Sequence, residues 1–308
     1  QGVGKAPAAP GKSAEPENPV PPTADAKPGD AAPEKAEELP PPEKIEDLLA
    51  ELDTYIGLNV VKDEVHDLIN MVQVYKLREQ HDLPTTDMSL HMVFTGNPGT
   101  GKTMMARMMA RIYRSLGILS KGQLVEVDRS GLVAGYVGQT ALKTQKVIEK
   151  AMGGVLFIDE AYALNGKSEN DFGQEAIDTI LKAMEDHRDD LVVILAGYSK
   201  EMALFLTANS GLASRFPNQI EFPDYTGAEL LAITQSIAKS KGYRLDDACA
   251  MPLVAFFDRR QSENAAENGN GRMARNTLEK AILNQSKRLV ADADAALDLL
   301  LPGDFELE

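Results

Sequence analysis

The stretch Gly96-Asn-Pro-Gly-Thr-Gly-Lys-Thr103 decides the fold, because its spacing of Gly, four residues and Gly-Lys-Thr is that of a phosphate-binding loop. An apolar strand candidate, His91 to Thr95, precedes it, and an amphipathic helix candidate begins near Lys102. The glycines accept positive φ and carry no side chain, so successive backbone N–H groups can face one anion. The positive end of the helix dipole adds to this site, which is therefore predicted to bind phosphate.

The residues of the loop predict how ATP and Mg²⁺ are held. Lys102 is expected to reach the β and γ phosphates, and the Thr103 hydroxyl is expected to hold Mg²⁺. The loop alone leaves open a plain Gly turn before a helix. The predicted nucleotide-binding residues here are Gly96, Asn97, Pro98, Gly99, Thr100, Gly101, Lys102, Thr103 and Met104.

Two adjacent acids, Asp159 and Glu160, end the apolar run Gly154 to Ile158. Continuous apolarity of this length is typical of a strand buried on both faces of a parallel sheet. Asp159 can complete the Mg²⁺ shell, and Glu160 can orient and deprotonate a water aimed at the γ phosphate. The phosphate-binding loop and the acid pair together therefore predict ATP hydrolysis.

Strand and helix patterns alternate up to residue 225, which predicts a doubly wound parallel α/β sheet. Thr140 is expected to cap the helix that follows it. From Thr226 the strands are expected to stop, and Thr226 with Glu229 predicts a capping box that opens the first of three helices. We expect an α/β nucleotide-binding domain over residues 43–225 and a helical subdomain over 226–308.

Composition limits the classes of partner. The net charge of −15, from 32 basic and 47 acidic residues, argues against a surface that neutralises nucleic-acid phosphates. No apolar run reaches the length of a membrane span, and the start lacks a signal-peptide layout, although an upstream segment stays open because the first residue is Gln. The single Cys249, predicted to be a small buried helix residue, suits a reducing compartment, so we expect a cytoplasmic protein.

Residues 1–42 hold 11 of the 17 prolines and almost no large apolar side chain. Such a segment cannot bury enough surface to offset the entropy lost on ordering. It is predicted to be a disordered tail, and a proline-rich docking motif is the alternative.

The order of these motifs with Gly-Leu-Ala-Ser-Arg-Phe216 and Gly271-Arg-Met-Ala-Arg-Asn resembles that of AAA+ ATPases. The sequence around these motifs is similar to that of the CbxX/CfqX family, which includes stage V sporulation protein K and the red-type Rubisco activase. Three segments carry this resemblance: His91-Met-Val-Phe-Thr-Gly-Asn-Pro-Gly-Thr-Gly-Lys-Thr103, Met152-Gly-Gly-Val-Leu-Phe-Ile-Asp-Glu-Ala-Tyr162 and Leu195-Ala-Gly-Tyr198. The similarity covers roughly residues 45 to 290 and implies a P-loop AAA+ module whose helical subdomain is a lid.

The resemblance also implies roles for arginines on two elements. Arg215, in Ser-Arg-Phe, matches the arginine finger that reaches the γ phosphate of a neighbouring subunit. Arg272 matches the sensor on the lid, with Arg275 assisting. One departure concerns the position after the fourth strand, where AAA+ proteins often have a polar Asn or Thr and this chain has Gly197-Tyr198.

Two further segments receive roles from the resemblance. Tyr136 and Val137, in Gly-Tyr-Val-Gly, match the aromatic pore loop that grips a polypeptide, although a Tyr between glycines can also fold back onto the sheet. Ile56 and Gly57 lie where the adenine is usually held.

The function implied is Mg²⁺-dependent ATP hydrolysis coupled to remodelling or threading of a protein client by a ring of identical subunits, expected to be a hexamer. Two alternatives stay open: a nucleotide-gated scaffold with little turnover, and a clamp-loader-like machine acting on DNA. The client, Rubisco included, and any need for an effector are not decided by the sequence.

Overall fold

A computed structural model describes residues 39–85, 88–136, 138–166, 171–291 and 296–307. The chain divides into two units, Gln1–Leu39 and Pro40–Glu308. Only Leu39 of the first unit is described, so the predicted disordered tail lies almost wholly outside the described residues and stays a prediction.

A five-stranded parallel sheet forms the centre of the second unit, in the order β2-β3-β4-β1-β5. The parallel pairing sets Thr95 beside Gly197 and Ile158 beside Leu195, so the segments that follow these strands leave from one edge of the sheet. This confirms the predicted doubly wound α/β fold. The strands are β1 (Met92–Thr95), β2 (Leu124–Val127), β3 (Val155–Ile158), β4 (Val192–Gly197) and β5 (Asn218–Glu221).

Helices cover both faces of the sheet and form the lid. Two of them, α4 and α8, were not predicted, since segments of four and six residues are too short to show helical periodicity. The helix predicted near residues 246–261 begins and ends later, at Ala250 and Asn268. The helices are α1 (Ile45–Asp53), α2 (Asn59–Gln80), α3 (Lys102–Ser115), α4 (Arg129–Leu132), α5 (Thr140–Ala151), α6 (Gly173–Asp186), α7 (Ser199–Ala208), α8 (Ser210–Arg215), α9 (Gly227–Ser240), α10 (Ala250–Asn268) and α11 (Gly271–Ala291).

Alternate residues of each central strand enter two different hydrophobic cores. Phe94 packs in a core with α1, α2, α3 and the lid helices, whereas Val93 packs in a core with α5, α6 and α7. All four residues of β3 are buried as a result. Burial on both faces is the reason that these strands appear in the sequence as continuous apolar runs.

Thr140 does not cap α5 as predicted. It is the first residue of the helix and is fully buried, and its Oγ1 accepts a hydrogen bond from the Ala134 backbone N–H at 3.0 Å. The cap residue is Gln139, which makes no side-chain cap. The hydroxyl instead satisfies a backbone N–H of the loop before the helix, a long-range need that local spacing cannot reveal.

The lid begins with the predicted capping box. Thr226 Oγ1 accepts from the Glu229 N–H at 3.3 Å, and Glu229 Oε2 accepts from the Thr226 N–H at 2.8 Å. The expectation that strands stop here is wrong, because β6 (Arg244–Leu245) and β7 (Leu299–Leu300) form a parallel pair. Two-residue strands are too short to show alternation in a sequence. Cys249 is buried as predicted, in a 3-10 turn rather than a helix.

None of the helices in the described part of the chain is long and apolar enough to cross a membrane.

Candidate active site

A cleft of about 570 Å³ opens at the edge of the sheet where β1, β3 and β4 end. The phosphate-binding loop, the acid pair after β3 and the lid helices α9 and α11 all contribute to its lining. The predicted site residues that line it are Ile56, Gly96, Pro98, Gly99, Gly101, Lys102, Thr103, Met104, Asp159, Glu160 and Arg272, and Arg275 joins them.

Glycines in the loop are required by backbone angles and by close packing. Gly96, Gly99 and Gly101 have φ of +138°, +74° and +99°, a region that favours glycine. A Cβ on Gly96 would lie 2.4 Å from the carbonyl oxygen of Phe222, and one on Gly99 would lie 2.1 Å from that of Gly269. The loop therefore fits closely against the chain leaving β5 and against the lid.

Lys102 points back over its own loop. Its Nζ donates to the carbonyl oxygens of Gly96 at 2.8 Å and Asn97 at 2.7 Å. Burial lowers the pKa of Lys102 to about 8, and the positive charge of Arg272 adds to this, while Asp159 opposes it. The ammonium is thus short of compensating negative charge, and an anion in the cleft would supply it.

Asn97 and Thr100 support the loop rather than line the cleft. The Asn97 amide donates to both carboxylate oxygens of Asp224 at 3.0 Å. Thr100 is fully buried, and its hydroxyl donates to the Asn97 carbonyl at 2.9 Å. Both side chains fix the loop backbone, so its peptide groups keep their orientation.

Asp159 and Glu160 follow β3 into the cleft. The Asp159 N–H donates to the Val127 carbonyl at 2.8 Å, which extends the β2–β3 pairing by one residue. Asp159 Oδ1 accepts from the Glu160 N–H at 3.0 Å. Glu160 has φ +48°, a left-handed conformation that is disfavoured by about 1–2 kcal/mol for an L-residue. Strain of this kind is typical of functional sites.

The side of the cleft where the resemblance predicts the adenine is partly apolar. Ile56 lines it together with Ile233 and Ile237, which are one turn apart on α9. Gly57 is not among the described residues that line the cleft. It has φ +64°, and a Cβ there would lie 2.5 Å from Glu229 Oε1, so Gly57 packs against the start of α9.

A tyrosine lines the cleft at the position after β4. Gly197 is tightly enclosed, since a Cβ there would lie 2.8 Å from both the Tyr162 ring and Met202 Sδ. Tyr198 follows it, with its ring centroid 6.0 Å from that of Tyr162. A phenol therefore lines the cleft at the position where a smaller polar side chain was the usual expectation.

Arg215 and Tyr136 do not line the described cleft. Arg215 ends α8, where its guanidinium forms an ion pair with Glu185 of α6 and donates to the Gly211 carbonyl at 3.2 Å. Tyr136 is 74% exposed in the loop between α4 and α5, so its ring does not fold back onto the sheet. Val137 lies outside the described residues.

Several residues in or beside the site were not predicted from the sequence, and Tyr225 and Asn270 make the most specific contacts among them. Tyr225 lines the cleft, and its hydroxyl donates to the Thr100 carbonyl at 3.2 Å. Asn270 is fully buried just before the cleft residues Gly271 and Arg272. The only signal for Asn270 was its place between two glycines, which marks a tight turn.

Comparison with known proteins identifies the family. The chain is 45% identical over 256 residues to protein CbxX (chromosomal) of Cupriavidus necator, an alignment that covers 82% of this chain and 80% of that protein. Residues 92–224 match the family described as ATPase family associated with various cellular activities (AAA). The chain belongs to the AAA ATPases. Residues 226–308 match the AAA lid domain. Because the family is one of ATPases, the chain is an ATP-hydrolysing enzyme.

Other relatives place this AAA ATPase in the same group. It is 44% identical to the chloroplastic ribulose bisphosphate carboxylase/oxygenase activase of Cyanidioschyzon merolae, over 80% of this chain and 85% of that protein. It is 40% identical to stage V sporulation protein K of Bacillus subtilis, over 80% of this chain and 77% of that protein. Two solved RuvB variants from Thermotoga maritima share 20% identity at a TM-score of 0.53, covering 82% of this chain and 68–69% of theirs, which shows the fold alone.

Proposed function

We propose that this AAA ATPase assembles into a ring, expected to be a hexamer, and couples Mg²⁺-dependent hydrolysis to remodelling or threading of a protein client. The position of Arg215 carries the proposal. It ends α8 outside the described cleft lining, while Lys102, Glu160 and Arg272 are inside it. An arginine finger presented by a neighbouring subunit would complete such a site.

The residues of the cleft fit a triphosphate with a divalent cation. Lys102, Arg272 and Arg275 provide positive charge, and the burial of Lys102 leaves it in need of an anion. The Thr103 hydroxyl and the Asp159 carboxylate are oxygen ligands of the kind that Mg²⁺ prefers. In this proposal they hold the ion, which when bound neutralises charge on the β and γ phosphates.

Glu160 and Arg215 divide the catalytic work. Glu160 orients the attacking water and accepts its proton, a role typically associated with about 10²- to 10⁴-fold in rate. Lys102 holds the phosphates, and Arg272 approaches them from the lid. Arg215 of a neighbour stabilises charge in the transition state, which contributes roughly 10³- to 10⁵-fold in related sites. Hydrolysis would thus depend on assembly.

The lid and the loop at Tyr136 link hydrolysis to movement. Nucleotide is bound between the sheet domain, proposed to span 43–225, and the lid, proposed to span 226–308, so loss of the γ phosphate changes the contacts between them. The exposed Tyr136, with Val137, would grip the client. The name of one relative points to Rubisco as a candidate client. The trapping experiment described next would detect Rubisco or any other protein client. The cytoplasmic location stays a prediction.

A substrate-trapping variant tests the client proposal. Glu160→Gln keeps the shape of the side chain but removes the base, so phosphate release should fall by about 100-fold or more while ATP binding is retained. Beads carrying Glu160→Gln with ATP should retain a protein client that is released with ADP. The matched control is Glu126→Gln, an exposed acid on β2, which should hydrolyse normally. Equal phosphate release by Glu160→Gln and the unmodified protein, or retention of the protein itself alone, would contradict the proposal.

A further inference from the structure

Asn270 lies in the turn that joins α10 to α11, two residues before Arg272. We propose that Asn270 is a positioning residue that couples the phosphate-binding loop to the lid and thereby sets where Arg272 stands in the cleft. The proposal rests on the ATPase activity and on the role proposed above for Arg272, and it needs no client.

The side chain of Asn270 uses its full hydrogen-bonding capacity. It is fully buried, and its Nδ2 donates to Asp224 Oδ1 at 2.8 Å and to the Pro98 carbonyl at 3.3 Å. Its Oδ1 accepts from the Tyr225 N–H at 3.0 Å and from Gln261 Nε2 at 2.7 Å. An amide has two donor hydrogens and one acceptor oxygen with two lone pairs, so all four positions are occupied.

These four bonds join three separate parts of the molecule. Pro98 belongs to the phosphate-binding loop, Asp224 and Tyr225 to the connection between β5 and α9, and Gln261 to α10 of the lid. Asp224 also accepts both bonds from the Asn97 amide, at 3.0 Å each. A shift of the loop is therefore passed to the lid through a continuous set of hydrogen bonds.

The backbone of Asn270 has an unfavourable conformation, and a separate backbone contact attaches this turn to the phosphate-binding loop. Its φ is +46°, in the left-handed region, and the next residue, Gly271, donates its N–H to the Gly99 carbonyl at 3.0 Å. The turn and the loop touch so closely that a Cβ on Gly99 would lie 2.1 Å from the Gly269 carbonyl. Because this backbone contact and the apolar core do not involve the Asn270 side chain, the lid stays attached when that side chain changes.

Exchanging the amide of Asn270 and the carboxylate of Asp224 tests whether their hydrogen bond couples the loop to the lid. Asn270→Asp removes both donors and sets two carboxylates against each other, so kcat for ATP should fall by about 10- to 100-fold, since a hydrogen bond to a charged group is lost. Affinity for a fluorescent ATP analogue should change by less than threefold, because Lys102 and the loop N–H groups remain. Asp224→Asn alone should keep kcat within about threefold, since an amide oxygen can still accept from Asn270.

The double variant, Asn270→Asp with Asp224→Asn, reverses the direction of the bond and should return kcat to within about threefold of Asp224→Asn. Asn270→Gly is the second variant. It allows φ +46° without strain and removes the side chain, and should also lower kcat by about tenfold. The matched control is Asn284→Asp on the same helix, whose amide donates to Asp304 and Glu306 away from the loop.

Each outcome decides the proposal. Loss of kcat that the double variant restores, with analogue affinity and Tm close to those of the unmodified protein, supports it. Unchanged kcat in Asn270→Asp and Asn270→Gly, a double variant no better than Asn270→Asp, or equal losses of kcat, affinity and Tm would overturn it. Failure of client remodelling would leave this assay intact, and absence of phosphate release by the unmodified protein would refute the ATPase basis itself.

Discussion

Glu160 and Asn270 are both non-glycine residues with left-handed backbone angles, at φ +48° and +46°. Each is held by hydrogen bonds from a neighbouring segment or from its own turn: Ala163 N–H to the Glu160 carbonyl at 2.8 Å, and Tyr225 N–H to the Asn270 side chain at 3.0 Å. One stands on the sheet side of the cleft and the other on the lid side. Leu58 and Asp82 also have positive φ, so such angles occur on both sides of the cleft without being confined to it.

His91 gives a test of pH dependence at the residue scale. Its ring is buried, and Nδ1 accepts a hydrogen bond from the Val193 N–H at 3.0 Å. The native state therefore favours the neutral imidazole. Burial lowers the pKa of His91 from 6.5 to about 4. The unfolded chain binds a proton at a higher pH than the native state, so stability is present above pH 6.5 and is lost as pH falls toward 4.

We expect the free energy of unfolding to fall by about 2 kcal/mol more between pH 7 and pH 5 in the unmodified protein than in His91→Gln. Gln keeps an acceptor for the Val193 N–H and does not titrate. Urea unfolding at the two pH values measures the difference. Equal losses in the two proteins would show that His91 is not held neutral.

At the element scale, helix starts combine predictable and unpredictable features. The Thr226–Glu229 box was predicted because both partners lie within one turn of the chain. The fully buried Thr140 was misread as a cap because its partner, the Ala134 N–H, lies in a preceding irregular loop. Local partners can be read from spacing, whereas partners fixed by tertiary contacts cannot.

The same distinction explains how much of the site was predictable. The loop glycines and Lys102 follow directly after β1, and the acid pair follows directly after β3. Their positions can therefore be predicted from the sequence alone. Asn270 and Tyr225 bond to residues more than 120 positions away in the loop, and no local pattern encodes such a pairing. The β6–β7 pair was missed for the same reason, since its strands are two residues long and more than fifty positions apart.

The capping box of α9 provides a test at this scale. Thr226→Ala removes the acceptor for the Glu229 N–H and should lower the free energy of unfolding by about 1 kcal/mol. Thr207→Ala is the control, because that exposed hydroxyl only donates to a carbonyl of its own helix, at 2.8 Å. A Thr226→Ala protein as stable as the Thr207→Ala protein in urea would contradict the assigned cap.

At the scale of the whole molecule, the cleft is lined by residues of both the sheet region and the lid, whereas Arg215 lies outside it. Lys102 and Glu160 come from the sheet domain, and Arg272 comes from the lid. Arg215 is held by Glu185 on α6, so its guanidinium occupies a defined place on the surface. We propose that this arginine serves the ATP site of a neighbouring subunit.

Mixing two inactive variants tests that claim most directly. Arg215→Ala and Glu160→Gln should each hydrolyse ATP poorly when alone. In mixed assemblies, a site with intact Glu160 can receive Arg215 from a Glu160→Gln neighbour, so roughly a quarter of the sites should recover in a random equimolar mixture. Lys102→Ala mixed with Glu160→Gln is the control, because both changes damage the subunit's own cleft and no complete site can form.

The measurement is the rate of phosphate release after mixing, with subunit exchange verified by differently labelled chains. If Arg215 acts on a neighbouring subunit, we expect hydrolysis to recover in the Arg215→Ala mixture and not in the Lys102→Ala mixture. Exchange of subunits without any recovery of hydrolysis would contradict it.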